Sequence, residues 1–245
     1  MQLDGHATNQ DLNTLLDFLC DSDDTSFPVQ RKVINLNVAL EELVGKIINA
    51  DGTWQYDDTN YTNHPVGTGT LVEGQEDYAF AGEYLQVEAV EILNSASPAQ
   101  YIRLTPLDHN ELGGRSTEEY FGLTSAGNPQ TGMPEYFDIV GDTVRLYPAP
   151  TSSRVTLAAG LKIYFKRAPD LFTTTDTTQE PGLPSPYHSL LVYKAAIPYC
   201  IKYHKDRIPE YQIIIENMTK DLISHYSNRE KSKRARIVNR RKSFR

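Results

Sequence analysis

The chain has 245 residues, of which 39% are hydrophobic and 23% are charged, a composition typical of a soluble globular protein with one or two domains. Its formal net charge is −8 at pH 7, and no apolar run approaches the roughly 20 residues of a membrane span, so the sequence predicts no membrane-spanning helix. The first ten residues lack the basic start and apolar core of a signal peptide, and we expect a protein that is made and used in a cytoplasm.

Residues 8–52 are predicted to form an N-terminal helical pair. The first helix covers residues 9–20, where Thr8 or Asn9 can provide the N-cap and four leucines form an apolar stripe. Pro28 suits the first turn of the second helix, because the N–H that proline lacks is unpaired there anyway. Spacings of four and three residues place one apolar stripe on this helix of about 20 residues: Val29, Val33, Leu36, Leu40, Leu43 and Ile47.

Residues 53–180 are predicted to form an inserted β-rich domain with long loops. Leu85, Val87 and Ala89 alternate with polar residues, which indicates a strand with one apolar face. A second alternating run covers residues 101–105, and the two runs together predict a β-hairpin. Further strands are expected at residues 144–146 and 161–166, and exposed loops at the polar, glycine-rich stretches 57–77 and 122–134.

Residues 185–228 are predicted to contain the C-terminal helices. Ser185 can cap the first of these helices with Pro186 in its first turn, and Pro198 predicts a kink or a break within it. Another helix is expected from Ile208. Because neither helical pair could bury its apolar stripe alone, the sequence predicts an α+β fold, in which N- and C-terminal helices form one helical bundle with an inserted antiparallel β-rich domain.

The sequence contains no recognisable motif for catalysis or nucleotide binding. It lacks a phosphate-binding loop, a dinucleotide fingerprint and a Gly-x-Ser-x-Gly elbow. The six histidines lack metal-site spacing, and His188 is expected to make a local hydrogen bond. The acidic pairs at 57–58 and 118–119 and the acidic run 21–24 are expected to face water. We therefore assign no catalytic residue, cofactor or metal, and expect a protein that is not an enzyme.

The cysteines and tyrosines have structural and functional interpretations. Cys20 and Cys200 form no Cys-x-x-Cys pair, and we expect two buried thiols. The chain has 15 tyrosines against one tryptophan. Tyrosine suits subunit interfaces because it combines a large contact area with a polar hydroxyl group, but many of these residues could equally be half-buried in strands.

Charge is concentrated in a basic tail, residues 229–245. Its nine basic residues and one acidic residue give +8, so residues 1–228 must carry −16 to make the total of −8. The tail could be a solvated disordered end, contact nucleic-acid phosphates, or dock on an acidic protein surface with a few apolar anchors. The candidate docking residues are Arg229, Lys231, Lys233, Arg234, Arg236, Ile237, Val238, Arg240, Arg241, Lys242, Phe244 and Arg245.

Three stretches of the chain resemble the head-to-tail adaptor, or connector, proteins of tailed bacteriophages. Residues 141–150 (Gly-Asp-Thr-Val-Arg-Leu-Tyr-Pro-Ala-Pro) are similar to a strand of this family that ends in a Tyr-Pro-x-Pro turn. Residues 161–171 are similar to the following strand with its Pro-x-Leu exit, and residues 183–191 to the start of the C-terminal helices. An N-terminal helix pair followed by a strand at Trp54 also fits, and the resemblance covers most of residues 28–205.

The resemblance implies a structural virion protein in the phage neck, assembled in the host cytoplasm. Such proteins form a homo-oligomeric ring, usually a dodecamer, beneath the portal protein, without a catalytic centre. The ring extends the DNA channel and offers a docking surface to the tail or to other neck proteins. Because the C-terminal segment often grips the portal, the resemblance implies that role for residues 229–245. An acidic body would repel genomic DNA and let it pass without sequence-specific binding.

Two other functions are compatible with the sequence. A nucleic-acid-binding protein that acts through its basic C-terminal tail would bind DNA in a salt-dependent manner and lose this binding without the tail, although the acidic body argues against it. A glycan-active tail component would need acidic and aromatic residues on one strand face, and the sequence shows no such cluster.

Overall fold

The computed structural model describes residues 1–4, 11–50, 58–82, 84–114, 116–123, 127 and 130–229. The chain divides into two compact units, a helical unit (Met1–Asn60 with Pro169–Arg245) and a sheet unit (Tyr61–Ala168). Helices from both ends of the chain and antiparallel sheets from its middle confirm the predicted α+β fold. Among the residues described, no helix is both long enough and apolar enough to cross a membrane.

Five α-helices occur in the described part of the chain: α1 (Leu12–Cys20), α2 (Val29–Ile48), α3 (Thr117–Phe121), α4 (His188–Tyr203) and α5 (Ile208–Arg229). The short α3 belongs to the sheet unit, and the other four build the helical unit. Single 3-10 turns lie at His109–Leu112, Ser185–Tyr187 and Lys205–Arg207.

The helical unit is held together by one core to which both ends of the chain contribute. α4 packs against α1, α2 and α5, and the core contains the fully buried Leu16, Leu40, Leu191 and Leu222. Five of the six residues in the predicted α2 stripe are buried, and Val29 at its start is partly buried. Each such leucine contributes about 2 kcal/mol by leaving water. The predicted helical bundle is therefore confirmed.

Two of the predicted helix boundaries are wrong. α1 begins at Leu12 rather than at residue 9, because the Asp11 carboxylate accepts hydrogen bonds from the N–H groups of Asn13 (2.8 Å) and Thr14 (3.3 Å) and so provides the N-cap. The predicted caps, Thr8 and Asn9, lie outside the described residues.

The start of the C-terminal helices also differs from the prediction. Ser185 begins a 3-10 turn and makes no side-chain cap, and α4 starts at His188. α4 then runs through Pro198 to Tyr203, so the helix is not broken at the proline. The second predicted helix, α5, begins at Ile208 as expected.

The strands are β1 (Val66–Gly69), β2 (Asp77–Ala79), β3 (Tyr84–Ala96), β4 (Ala99–Arg103), β5 (Thr105–Pro106), β6 (Thr131–Gly132), β7 (Tyr136–Val140), β8 (Thr143–Tyr147), β9 (Ala149–Pro150) and β10 (Leu161–Arg167). They form one sheet in the order β1-β10-β3-β4, a second in the order β2-β8-β7-β5, and a small pair of β6 with β9. The two larger sheets share a core that includes Val90, Ile92, Val144, Leu146 and Ile163. The predicted hairpin is confirmed by the β3–β4 pairing of Ile92 with Ile102.

The sheet unit corrects three details of the sequence analysis. The stretches predicted as loops contain β1 and β6, which are short strands at sheet edges. Leu85, predicted on the apolar face of β3, is exposed. β10 pairs Lys166 with Gln86 and Arg167 with Tyr84, which leaves Leu85 unpaired in a β-bulge that turns it away from the core.

Candidate assembly surfaces

The basic tail leaves the helical unit at the end of α5. Arg229 is the last residue of this helix, and the other predicted docking residues, from Lys231 to Arg245, lie outside the described residues. Leu222 and Tyr226 are buried in the bundle core on the last two turns of α5. The tail therefore starts within one turn of a residue that is fixed in the core.

Tyr187 adds a second attachment for the same part of α5. Its hydroxyl donates to the carbonyl of Asp221 (3.3 Å), and its ring lies 5.8 Å from the ring of His225. These contacts join the start of α4 to the last turns of α5.

His188 is a buried histidine at the start of α4. Its Nε2 donates to the carbonyl of Leu183 (2.7 Å), which confirms the predicted local hydrogen bond, and its Nδ1 accepts from the amino group of Met1 (2.6 Å). Both ring nitrogens are therefore used by the neutral imidazole. Burial lowers the pKa of His188 below its ordinary value, and the Met1 charge acts in the same direction, against the Leu183 carbonyl and Glu180.

Acid should therefore destabilise the helical unit through His188. In the unfolded chain this histidine takes up a proton near pH 6.5, whereas the folded protein resists protonation. Its contribution is present in full above pH 6.5 and is lost as the pH falls through the lower folded pKa. Urea unfolding at pH 7.5, 6.5 and 5.5 should show this loss, and His188→Asn should weaken it. His64→Asn, at an exposed position, serves as control, and equal pH dependence in all three proteins would contradict the assignment.

Asp58 is fully buried, which corrects the expectation that this acidic pair faces water; Asp57 lies outside the described residues. Oδ1 of Asp58 accepts from the N–H of Asn60 (2.9 Å), and Oδ2 accepts from the N–H of Asp170 (3.0 Å). Gly182, with φ of +69°, lies directly against the carboxylate. This cluster, which we call the Asp58 clasp, joins the point where the chain leaves the helical unit to the point where it returns.

The acidic run after α1 holds a cation from within the chain. The ammonium group of Lys32 is completely buried, and it bonds to Asp17 and to Asp24 (2.8 Å). Asp24 faces water as expected for this acidic run, and its carboxylate also pairs with Lys32. Burial lowers the pKa of Lys32, but hydrogen bonds to the two carboxylates outweigh this effect and hold the pKa above its ordinary value.

An aromatic groove lies between the start of α2 and the end of α4. The rings of Phe27 and Tyr199 stack with their centroids 4.5 Å apart, and the ring of Tyr199 also contacts that of Tyr203, with centroids 4.7 Å apart. Ile34 lines the same groove with 59% of its surface exposed. We define the aromatic groove by these residues together with its two cations: Phe27, Arg31, Ile34, Tyr199, Lys202 and Tyr203.

The two cysteines are buried and free, as predicted, and their side chains lie in hydrogen-bond contact between α1 and α4. Burial raises the pKa of Cys20 to about 12, and it also raises the pKa of Cys200. Because the thiolate is the reactive form, both groups behave as small apolar side chains at neutral pH.

Several tyrosines of the sheet unit have structural roles. The Tyr78 hydroxyl accepts from the N–H of Val72 (3.1 Å) and donates to the carbonyl of Gln75 (3.0 Å). The ring of Tyr84 stacks on Phe165 and presses against Gly67, where a side chain would collide with it. This packing accounts for glycine in the edge strand β1.

The sheet unit also exposes apolar side chains. Ile139 and Val140 are 41% and 47% exposed beside the two-residue Gly141-Asp142 turn that joins β7 and β8. Tyr120 on α3 is 49% exposed. Among the residues that the structure describes, no group of three or more His, Cys, Asp or Glu is placed to hold a metal ion.

Helices from both ends of the chain thus form one bundle, the sheet unit is inserted between them in the sequence, and the basic tail follows α5. The chain belongs to the SU10 adaptor protein family, whose model matches residues 18–233. This match confirms the resemblance to phage head-to-tail adaptor proteins and is consistent with a structural role. A search of curated proteins found no match.

Proposed function

We propose that this protein forms a homo-oligomeric ring, in the usual case a dodecamer, beneath the portal of a tailed phage. The ring would extend the DNA channel in the virion neck and provide a docking surface for the phage tail. The observation that carries the proposal is membership of the adaptor family over residues 18–233.

The charge distribution supports a DNA channel. Residues 1–228 carry −16 of formal charge, and a wall of the same sign as DNA repels the phosphate backbone. A duplex could then move past the ring without the counterion-releasing contacts that make DNA binding tight.

The basic tail supports portal docking. Its +8 charge would steer the subunit toward an acidic groove on the portal, because complementary charge raises association rates. Ile237, Val238 and Phe244 would add apolar contacts there. The anchoring of α5 through Leu222 and Tyr226 lets binding of the tail hold the whole helical unit in place.

Removing the tail should abolish portal binding. We expect the full-length chain to co-sediment with purified portal rings in a fixed ratio, and a chain that ends at Asn228 to stay in the supernatant. The shortened chain keeps Leu222 and Tyr226, so an unchanged helical circular dichroism spectrum would show that it still folds. Two full-length variants separate the contributions: one replaces Arg240, Arg241 and Lys242 with glutamine, and the other replaces Ile237, Val238 and Phe244 with serine.

Duplex DNA is the competing ligand of the tail, and the same proteins test it. A tail that bound DNA through six or more phosphates would lose roughly 1000-fold in affinity between 50 and 200 mM salt. If the full-length chain ignores the portal but retards DNA with this salt dependence, the adaptor role is refuted and a nucleic-acid-binding function replaces it.

A further inference from the structure

Phe18 is the most exposed large apolar side chain among the described residues, with 78% of its surface in contact with solvent. It lies on the last turn of α1, where its neighbours Leu16 and Leu19 are buried in the core. The exposed Asp21 and Asp23 follow it, and residues 11–30 contain no Lys or Arg. Phe18 is therefore an apolar knob on an acidic segment.

The aromatic groove has the complementary chemistry. Its floor consists of the Phe27, Tyr199 and Tyr203 rings, and its cations, Arg31 and Lys202, make no ion pair with any other residue that the structure describes. Phe18 does not line this groove. The helical unit thus presents an apolar-acidic knob and an apolar-basic groove at separate positions.

We infer that Phe18 of one copy inserts into the aromatic groove of a neighbouring copy, with Asp21 facing Arg31 and Lys202. This inference rests on the proposed ring and identifies the contact between its subunits. Asp21 is available for such a contact, because its side chain is 77% exposed and its ion-pair partner Arg207 is 3.9 Å away.

The position of the two surfaces favours a closed ring. When each copy uses one surface to bind a different surface of the next copy, the same contact is repeated along a chain of copies. This chain closes into a ring when successive copies are related by rotation without a rise along the axis. The carbonyl of Leu19 accepts hydrogen bonds from Arg207 (2.9 Å) and Tyr211 (2.8 Å), just after α4 ends at Tyr203. Phe18, which precedes Leu19, and the groove, which is lined by Tyr199 and Tyr203 near the end of α4, consequently lie at the same end of the bundle.

Photocrosslinking tests the contact directly. Full-length protein with benzoylphenylalanine at position 18 is mixed with isotope-labelled wild type, with and without portal rings, and irradiated. We expect crosslinks between labelled and unlabelled copies at peptides containing residues 198–203. Crosslinks confined to other peptides, or to the same copy, would overturn the inference.

Substitutions measure the strength of the contact. Phe18→Glu should weaken association between copies by about 30-fold, which corresponds to about 2 kcal/mol, because the phenyl ring is no longer buried in the groove. Lys202→Glu should weaken it too, and combining it with Asp21→Lys should restore much of the loss. Ile213→Glu, at a position 61% exposed on α5, is the matched control and should change nothing.

The outcomes separate this contact from the ring itself. If Phe18→Glu still forms rings of wild-type stoichiometry on the portal, the knob-and-groove contact is refuted while the proposed function stands. If wild type does not bind the portal, but copies still crosslink between position 18 and the groove, the contact stands and the proposed function fails.

Discussion

Gly182→Ala should lower the free energy of unfolding of the helical unit by about 3 kcal/mol, since it combines two unfavourable effects. Gly182 has φ of +69°, a left-handed conformation that costs a non-glycine residue roughly 1–2 kcal/mol. The added methyl group would also collide with the buried carboxylate of Asp58, and overpacking of this kind costs about 1–3 kcal/mol. Urea unfolding followed by circular dichroism at the helical band measures the change.

Two further variants separate the strain from the collision. Gly74→Ala, in the sheet unit, has a similar φ of +76° but open space around the new methyl group, so it should cost that unit only about 1 kcal/mol, measured by hydrogen exchange of the β8 amides. Asp58→Ala should cost about 2 kcal/mol, because it removes the buried carboxylate that accepts hydrogen bonds from the N–H groups of Asn60 and Asp170. If Gly182→Ala costs no more than Gly74→Ala, the carboxylate of Asp58 gives way to the added methyl group, and the close packing of Gly182 in the Asp58 clasp is refuted.

The Asp58 clasp would matter for assembly as well as for stability. The chain leaves the helical unit after Asn60 and returns at Pro169, and Asp58 bonds on both sides of this gap. In the proposed ring, the helical unit would hold the tail and the contact between copies. Loosening the clasp should therefore destabilise the helical unit at this point while leaving the tail that we propose to dock on the portal in place at the end of α5.

The sequence was sufficient to predict the helices that bury a regular stripe. The α2 stripe from Val33 to Ile47 is buried as expected, because a helix of 20 residues repeats its signal over several turns. The start of α1 was harder to predict, since Asp11 and the earlier Thr8 and Asn9 are all suitable caps by residue type. Asp11 is identified as the N-cap of α1 only by the hydrogen bonds that its carboxylate makes in the folded chain.

The sheet unit was less predictable because its short strands carry little periodicity. β1 reads Val-Gly-Thr-Gly, which resembles a loop, and it forms a strand because it pairs with β10 and accommodates the ring of Tyr84. Leu85 was misplaced because a β-bulge breaks the alternation of β3. A bulge depends on the partner strand, which local sequence does not reveal.

The candidate surfaces also differ in how far the sequence predicts them. The basic tail and the adaptor resemblance are visible in the sequence as composition and short motifs. The aromatic groove joins Phe27 to Tyr199 and Tyr203 across more than 170 positions, and Asp58 meets Asp170 across 112. Clusters formed by residues so far apart have no characteristic spacing in the sequence. Only the high tyrosine content indicated an aromatic surface.

The Lys32 cluster fixes the acidic segment that carries the proposed knob. Asp17 and Asp24 bind the buried Lys32, whereas Asp21 is left largely in solvent. Because the pKa of Lys32 is raised, this contribution to stability is complete below about pH 10.5 and is lost only as the pH rises through the still higher folded pKa. The charge of Lys32, and with it the stabilisation from this cluster, therefore does not change over the pH range in which His188 titrates.

Asp17→Asn should consequently destabilise the helical unit by about 3 kcal/mol at neutral pH, because it leaves a buried ammonium group with Asp24 as its remaining carboxylate. Asp24→Asn is the control, and it should cost less than about 1 kcal/mol since that carboxylate is 74% exposed. Lys32→Met keeps the apolar stem and removes the charge, so Asp17→Asn in that background should cost at least about 1 kcal/mol less than it does alone. Additive losses in this double-mutant cycle, measured by urea unfolding, would show that Asp17 and Lys32 are stabilised independently and that the ion pair does not hold α1 against α2.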